Sequence, residues 1–202
     1  MSTRRSPLTA VAAAALAVAV AAAAVAQQDA QMSPEQQKAM EAWMKYATPG
    51  PSHKLLEPFV GSWNVTMTMW EAPGASPYSS QGTSENVWVL GGRFVQQTVA
   101  AEMMGQPFSG IGYTGYDNFK QKFVGTWMDS MGTMVMISSG SADASGKVLT
   151  FTAEMDDVVS GRRMSVREVT RVIDHDKHVF EMYGPDKSGK EFRTLEIVYT
   201  RK

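Results

Sequence analysis

The 202-residue chain contains no cysteine and only three histidines. Without thiols there is no disulfide, no thiolate nucleophile and no cysteine-held metal, so packing alone must hold the fold. Charge of either sign is also modest: 19 Lys and Arg against 20 Asp and Glu, a formal net charge of −1, and no basic run. Clustered lysine and arginine are what track a phosphate backbone, so the composition argues against nucleic acid as a partner. The Gly-x-Ser-x-Gly elbow is missing. Ser130 and Ser139 have no histidine near them in sequence, which leaves nucleophilic serine catalysis unsupported.

What is present begins with an export signature. Arg4 and Arg5 precede an apolar run from Ala10 to Ala26, and Ala24-Val25-Ala26 offers a small-x-small cleavage site. Residues 1–26 therefore read as a cleaved signal peptide, which places the mature chain in the periplasm or outside the cell, with no stable membrane span left after cleavage. Residues 27–51 read as a leader. In it Ser33-Pro34-Glu35-Gln36 supplies an N-cap, a first-turn proline and a capping-box glutamine, and Met40, Trp43, Met44 and Ala47 follow at helical spacing. Thr48-Pro49-Gly50-Pro51 ends this amphipathic helix, and a second helical turn over 52–57 stops at Pro58.

The remainder, 52–202, is a single β domain. Short runs of Val, Thr, Phe, Tyr and Met predict strands near 62–70, 83–90, 93–103, 107–116, 121–129, 133–139, 147–155, 163–173, 178–183 and 190–200. Hairpin-length turn clusters separate them, among them Gly91-Gly92, Asp117-Asn118, Ser160-Gly161 and Pro185 to Gly189. No gap is long enough for a crossover helix. The fold class is all-β: an antiparallel, up-and-down barrel of about ten strands, preceded by one amphipathic helix.

One motif points elsewhere. Gly110-Ile111-Gly112-Tyr113-Thr114-Gly115 has the G-x-G-x-x-G spacing of dinucleotide-binding proteins. That fingerprint works only where the glycines end a strand and open a helix. Here Asp117-Asn118 turns the chain into another strand, although Phe119, Phe123 and Trp127 also recur at helical spacing. The hairpin reading wins, because Gly125 and Thr126 interrupt the run while Phe123, Gly125, Trp127 and Asp129 share one strand face.

The series "SHKLLEPFVGSWNV", "GGRFV", "MMGQPFSGIGYTGYDN", "FVGTWMDSMGTM" and "EIVYTR" resembles a mostly bacterial family catalogued as domain of unknown function 1579, over about residues 45–202. The resemblance implies a calycin-like barrel, related in shape to lipocalins and nitrobindins, and carries no accepted activity or catalytic residues. Gly61-Ser62-Trp63 is similar to the Gly-x-Trp of lipocalins, whose tryptophan closes the barrel's end beneath an arginine of the last strand. Here that arginine would be Arg201 or, less favourably, Arg193. Nitrobindin-like barrels bind haem through one histidine near the C-terminus, which makes His178 a minor candidate.

The candidate ligand-binding residues are Gly110, Gly112, Tyr116, Trp127, Asp129, Met134 and Met136. Two glycines on one strand face leave room for a ligand or a neighbouring side chain. Asp129 beside Trp127 could serve as an acid or base, the weak catalytic candidate, or it could cap the turn Asp129-Ser130-Met131-Gly132. Met67 and Met69, and Met134 and Met136, are spaced to share strand faces. Thioethers ligate Cu(I), but flexible packing around an adaptable pocket is the better reading. Asp174, His175, Asp176 and His178 read as a solvated turn, and no metal site is assigned. The expectation is an exported barrel binding a small apolar or amphipathic molecule. The alternatives are an enzyme using Asp129, with Tyr116 and Arg93 orienting substrate, or a filled-barrel interaction module.

Overall fold

The computed structural model describes residues 32–158 and 160–202, so the expected signal peptide over 1–26 lies outside the described residues. The chain divides into two units, Met1–Ala47 and Thr48–Lys202. Helix α1 (Pro34–Ala47) belongs to the first. Its capping box forms as read: Gln36 N donates to Ser33 Oγ at 3.2 Å, and Ser33 N donates to Gln36 Oε1 at 2.8 Å. No described helix is long and apolar enough to cross a membrane.

The second unit opens with a short helix α2 (Pro51–Lys54) and a 3₁₀ turn (Glu57–Phe59). Ten strands follow: β1 (Gly61–Met69), β2 (Tyr78–Val89), β3 (Phe94–Met103), β4 (Gln106–Asp117), β5 (Lys122–Asp129), β6 (Met136–Ala142), β7 (Val148–Asp157), β8 (Arg162–Val172), β9 (Lys177–Pro185) and β10 (Glu191–Arg201). Each pairs antiparallel with the next, and β1 pairs with β10 from Trp63↔Arg201 to Met69↔Leu195, which closes the barrel. Closure satisfies both edges, so no strand is left as a template for aggregation. The expected barrel is the observed one.

Two strands depart from their expected bounds. β2 begins at Tyr78 because Met67 and Met69 of β1 pair with Ser80 and Tyr78. Its first residues are too polar to announce a strand and are recruited by their neighbours. β6 lies further along than expected, since Phe123↔Gly140 on one side and Ala142↔Leu149 on the other set its register. The turns obey local chemistry. Asp117 Oδ1 accepts the backbone N–H groups of Phe119 and Lys120, both at 2.9 Å, which bends β4 into β5.

The segment before β1 seals one end. Leu56 is fully buried and packs with Val95, Phe123, Leu149 and Phe151. Trp63, Val65, Met67 and Tyr199 form the adjoining cluster. Trp63 donates Nε1–H to Phe59 O at 2.9 Å, and Trp88 donates to Glu57 Oε2 at 2.9 Å, so both indoles tie the 3₁₀ turn to the strands. Arg201 lies over the Trp63 ring at 4.1 Å, while Arg193 lies over Trp70 instead. The Arg201 guanidinium also donates to Val60 O at 3.1 Å and to His175 O through both Nε and Nη2. Gly61 completes the arrangement: its φ is +130°, and a Cβ there would stand 2.4 Å from Arg201 Nη1. Any larger residue would meet both backbone strain and the guanidinium.

Arg201 is thus a planar, multiply bonded latch rather than a simple charge. Arg201→Lys should lower the unfolding free energy by about 1.5–3 kcal/mol, the range for hydrogen bonds to a charged group. Urea denaturation measures it, and an unchanged midpoint would show that the guanidinium fork is dispensable.

Candidate functional site

Side chains alternate across each strand, so one face of all ten lines the interior. That interior is not filled. A cavity of about 600 Å³ occupies it, within the span usual for small-molecule sites. Leu56, Phe59, His178 and Tyr199 line its sealed end. Among the described residues nine methionines line it. Met67 and Met136 are buried, whereas Met104, Met131 and Met134 are exposed and mark the mouth. The methionines come from β1, β3, β6, β7, β9 and the turns at the mouth, so they form a flexible apolar coat around the wall.

The residues singled out from sequence divide into two groups. Trp127, Asp129, Met134 and Met136 line the cavity. Gly110 and Gly112 face inward but are covered by the Trp127 ring: a Cβ on Gly110 would lie 2.3 Å from Trp127 Cζ2, and one on Gly112 would lie 2.9 Å from Cε3. They make room for the indole, not for a ligand. Tyr116 does not line the cavity. It belongs to the sealing cluster, edge-on to Phe123 at 5.0 Å and to His53 at 5.8 Å. Met134 precedes β6 and shares no strand face with Met136, because the register of β6 leaves it in the turn.

Asp129 both lines the cavity and caps the turn that follows it. Both its oxygens are engaged: Oδ2 accepts from Trp127 Nε1 and Oδ1 from Met131 N, each at 2.9 Å. The carboxylate therefore fixes the indole over the glycines and shapes the β5–β6 turn. Both oxygens thus have a structural part, one at the indole and one at the turn.

The deeper polar groups escaped the sequence reading. Gln97 Nε2 donates to Ser84 Oγ and Tyr199 Oη, both at 3.2 Å. Ser84 Oγ donates to Asn86 Oδ1 at 2.7 Å, and Asn86 Nδ2 donates to Phe59 O at 2.8 Å. Burial pushes the Tyr199 phenol up to about 12, so it remains a neutral hydrogen-bonding group. Glu168, buried on β8, lines the cavity beside Ser138. Desolvation raises its pKa, opposed by the Ser138 hydroxyl. A signal for it existed: Arg167 and Arg171 mark the outer face of β8, which puts Val166, Glu168 and Thr170 inside.

His178 is not part of a solvated turn. Its ring stacks on Tyr199 at 4.2 Å and meets the edges of Trp63 at 4.4 Å and Phe59 at 5.1 Å. Burial, aided by the Arg201 charge, lowers its pKa from 6.5 to about 3, and Nδ1 has no hydrogen-bond partner. A haem-bound imidazole is normally oriented by an acceptor at its second nitrogen. His178 has aromatic walls and no such acceptor at Nδ1, so these residues do not form an oriented axial site. Among the described residues no three His, Asp or Glu side chains converge to hold a metal.

Because His178 is neutral when folded and protonates readily when unfolded, its contribution is intact above pH 6.5 and is lost as pH falls towards 3. His178→Phe keeps the stacking and removes the titration. Its unfolding free energy should gain on wild type by about 2–3 kcal/mol between pH 7 and pH 4.5. Urea denaturation at the two pH values tests this, and parallel acid sensitivity in both proteins would assign the loss elsewhere.

The solved structures similar to this chain are barrels. Rv2717c from M. tuberculosis has a TM-score of 0.57 at 17% identity, covering 77% of this chain and 99% of its own. EF1p2_mFAP2b bound to DFHBI gives a TM-score of 0.41 at 9% identity over 75% and 99%, and the redesigned beta barrel b11L5F_LGL gives 0.38 at 15% over 77% and 99%. The first shares the fold, and the other two are too distant in shape to carry an argument. No curated protein matches the chain. The family model for "Protein of unknown function (DUF1579)" matches residues 48–201, the whole barrel with its sealing segment, and the chain belongs to that family.

Proposed function

We propose that this protein is an exported carrier or sensor that binds a small apolar or amphipathic molecule inside its barrel. The observation that carries the reading is the cavity of about 600 Å³, sealed at one end by aromatic side chains and lined by nine methionines. A barrel used only as a scaffold would fill that volume, since unfilled apolar space loses packing energy. Unbranched thioether side chains re-pack around different shapes at little cost, which suits a wall that must accept a ligand. The hydrogen bonds at the two oxygens of Asp129 give that carboxylate a structural part in the cavity wall. Export rests on the N-terminal pattern of Arg4, Arg5 and the following apolar run.

Native mass spectrometry on protein purified gently from an exporting host is the test. A retained mass, released on denaturation, is the expected result. The bare polypeptide mass under native conditions, together with failure of apolar probes to enter the cavity, would overturn the reading. The N-terminal residue found in the same spectrum tests cleavage after Ala26.

A further inference from the structure

The cavity wall is uneven in charge. Among the described residues it includes three carboxylates, Glu71, Asp129 and Glu168, and no lysine or arginine. Its one basic side chain, His178, is held neutral by burial. The carboxylates differ in what they have to do. Glu71 is exposed at the mouth, and Asp129 is committed to Trp127 and Met131. Glu168 is 95% buried, faces the cavity from the middle of β8 and, among the described residues, takes a side-chain hydrogen bond from the Ser138 hydroxyl alone. The arginines of the same strand are no help: Arg167 pairs with Glu191 and Arg171 with Glu181, both on the outer face.

A buried carboxyl without a countercharge costs stability, and an apolar residue of similar volume would fit the wall better. Ser138 and Gly125 make local room for it: a Cβ on Gly125 would sit 2.7 Å from Ser138 Oγ, so the glycine allows the hydroxyl its place. We infer that the occupant is an apolar molecule bearing a basic amine, whose ammonium group is taken by Glu168 with Ser138 alongside. This rests on the cavity-binding reading above and names the ligand class for it. The ammonium supplies the countercharge that the wall lacks, and the methionine coat takes the hydrocarbon. An anionic amphiphile meets the opposite situation, a carboxylate facing three acids and no cation.

Decylamine, decanol and decanoate, titrated below their micellar concentrations and followed by calorimetry and tryptophan emission, separate the possibilities. Decylamine should bind wild-type protein at least about tenfold more tightly than decanol, the effect of one charge-assisted hydrogen bond, with decanoate weakest. Glu168→Gln should remove the preference for the amine over the alcohol, while Glu71→Gln should retain it. Equal binding of amine and alcohol by wild type, or a preference that survives Glu168→Gln, would overturn the amine assignment and leave the cavity reading standing. If none of the three binds, the cavity reading falls and the assignment with it. The wild-type comparison decides the charge question even if Glu168→Gln fails to fold.

Discussion

Pairing of β1 with β10 is the contact on which the rest of this molecule depends. It joins residues more than a hundred positions apart, from Trp63↔Arg201 to Met69↔Leu195, and converts an open meander into a tube without edges. Closure also fixes the width. A barrel of eight strands has an interior that side chains can just fill or that holds one small ligand. With ten strands the ring is wider, and methionine, valine and threonine projecting from it do not meet at the centre. The cavity is a consequence of strand number before it is a property of any one residue.

Closure must be secured at one end, and the residues there show how. Trp63, Phe59, His178 and Tyr199 stack into an aromatic floor, and Arg201 bonds across it to the segment entering β1. The result is a gradient along the barrel axis, from interlocked aromatic rings at the floor to exposed methionines at the mouth. Polar groups in the floor are networked or neutral, as with Gln97, Ser84, Asn86 and Tyr199. Glu168 departs from that pattern, a buried acid in an apolar wall, and such departures concentrate where a structure has a task beyond stability.

Much of this was legible in order of residues. Asp117 with Asn118 announces a hairpin, so the G-x-G-x-x-G reads as part of a strand. The structure adds that Gly110 and Gly112 exist to receive the Trp127 ring, a relation across two strands that no motif expresses. Tyr116 reads from sequence as a ligand residue because of its polar neighbours, yet its position at the end of β4 puts it in the floor. His178 differs from its sequence reading for a similar reason. "DHDKH" reads as a polar turn, but β9 begins inside it, and alternation then sends His178 inward while Lys177 stays exposed.

The sequence by itself determined the strand count, the turns, and the absence of disulfide and thiolate chemistry. These follow from nearest-neighbour effects: alternation on a pleat, side chains that bond adjacent amides, and composition. Only the tertiary structure decided which face of each strand is interior, that the interior is hollow, and that Glu168 stands in it without a cation. Those outcomes depend on register around a closed ring, where a shift of one residue in any strand exchanges its inner and outer side chains. That register is set by all ten pairings at once, not by any local stretch of chain.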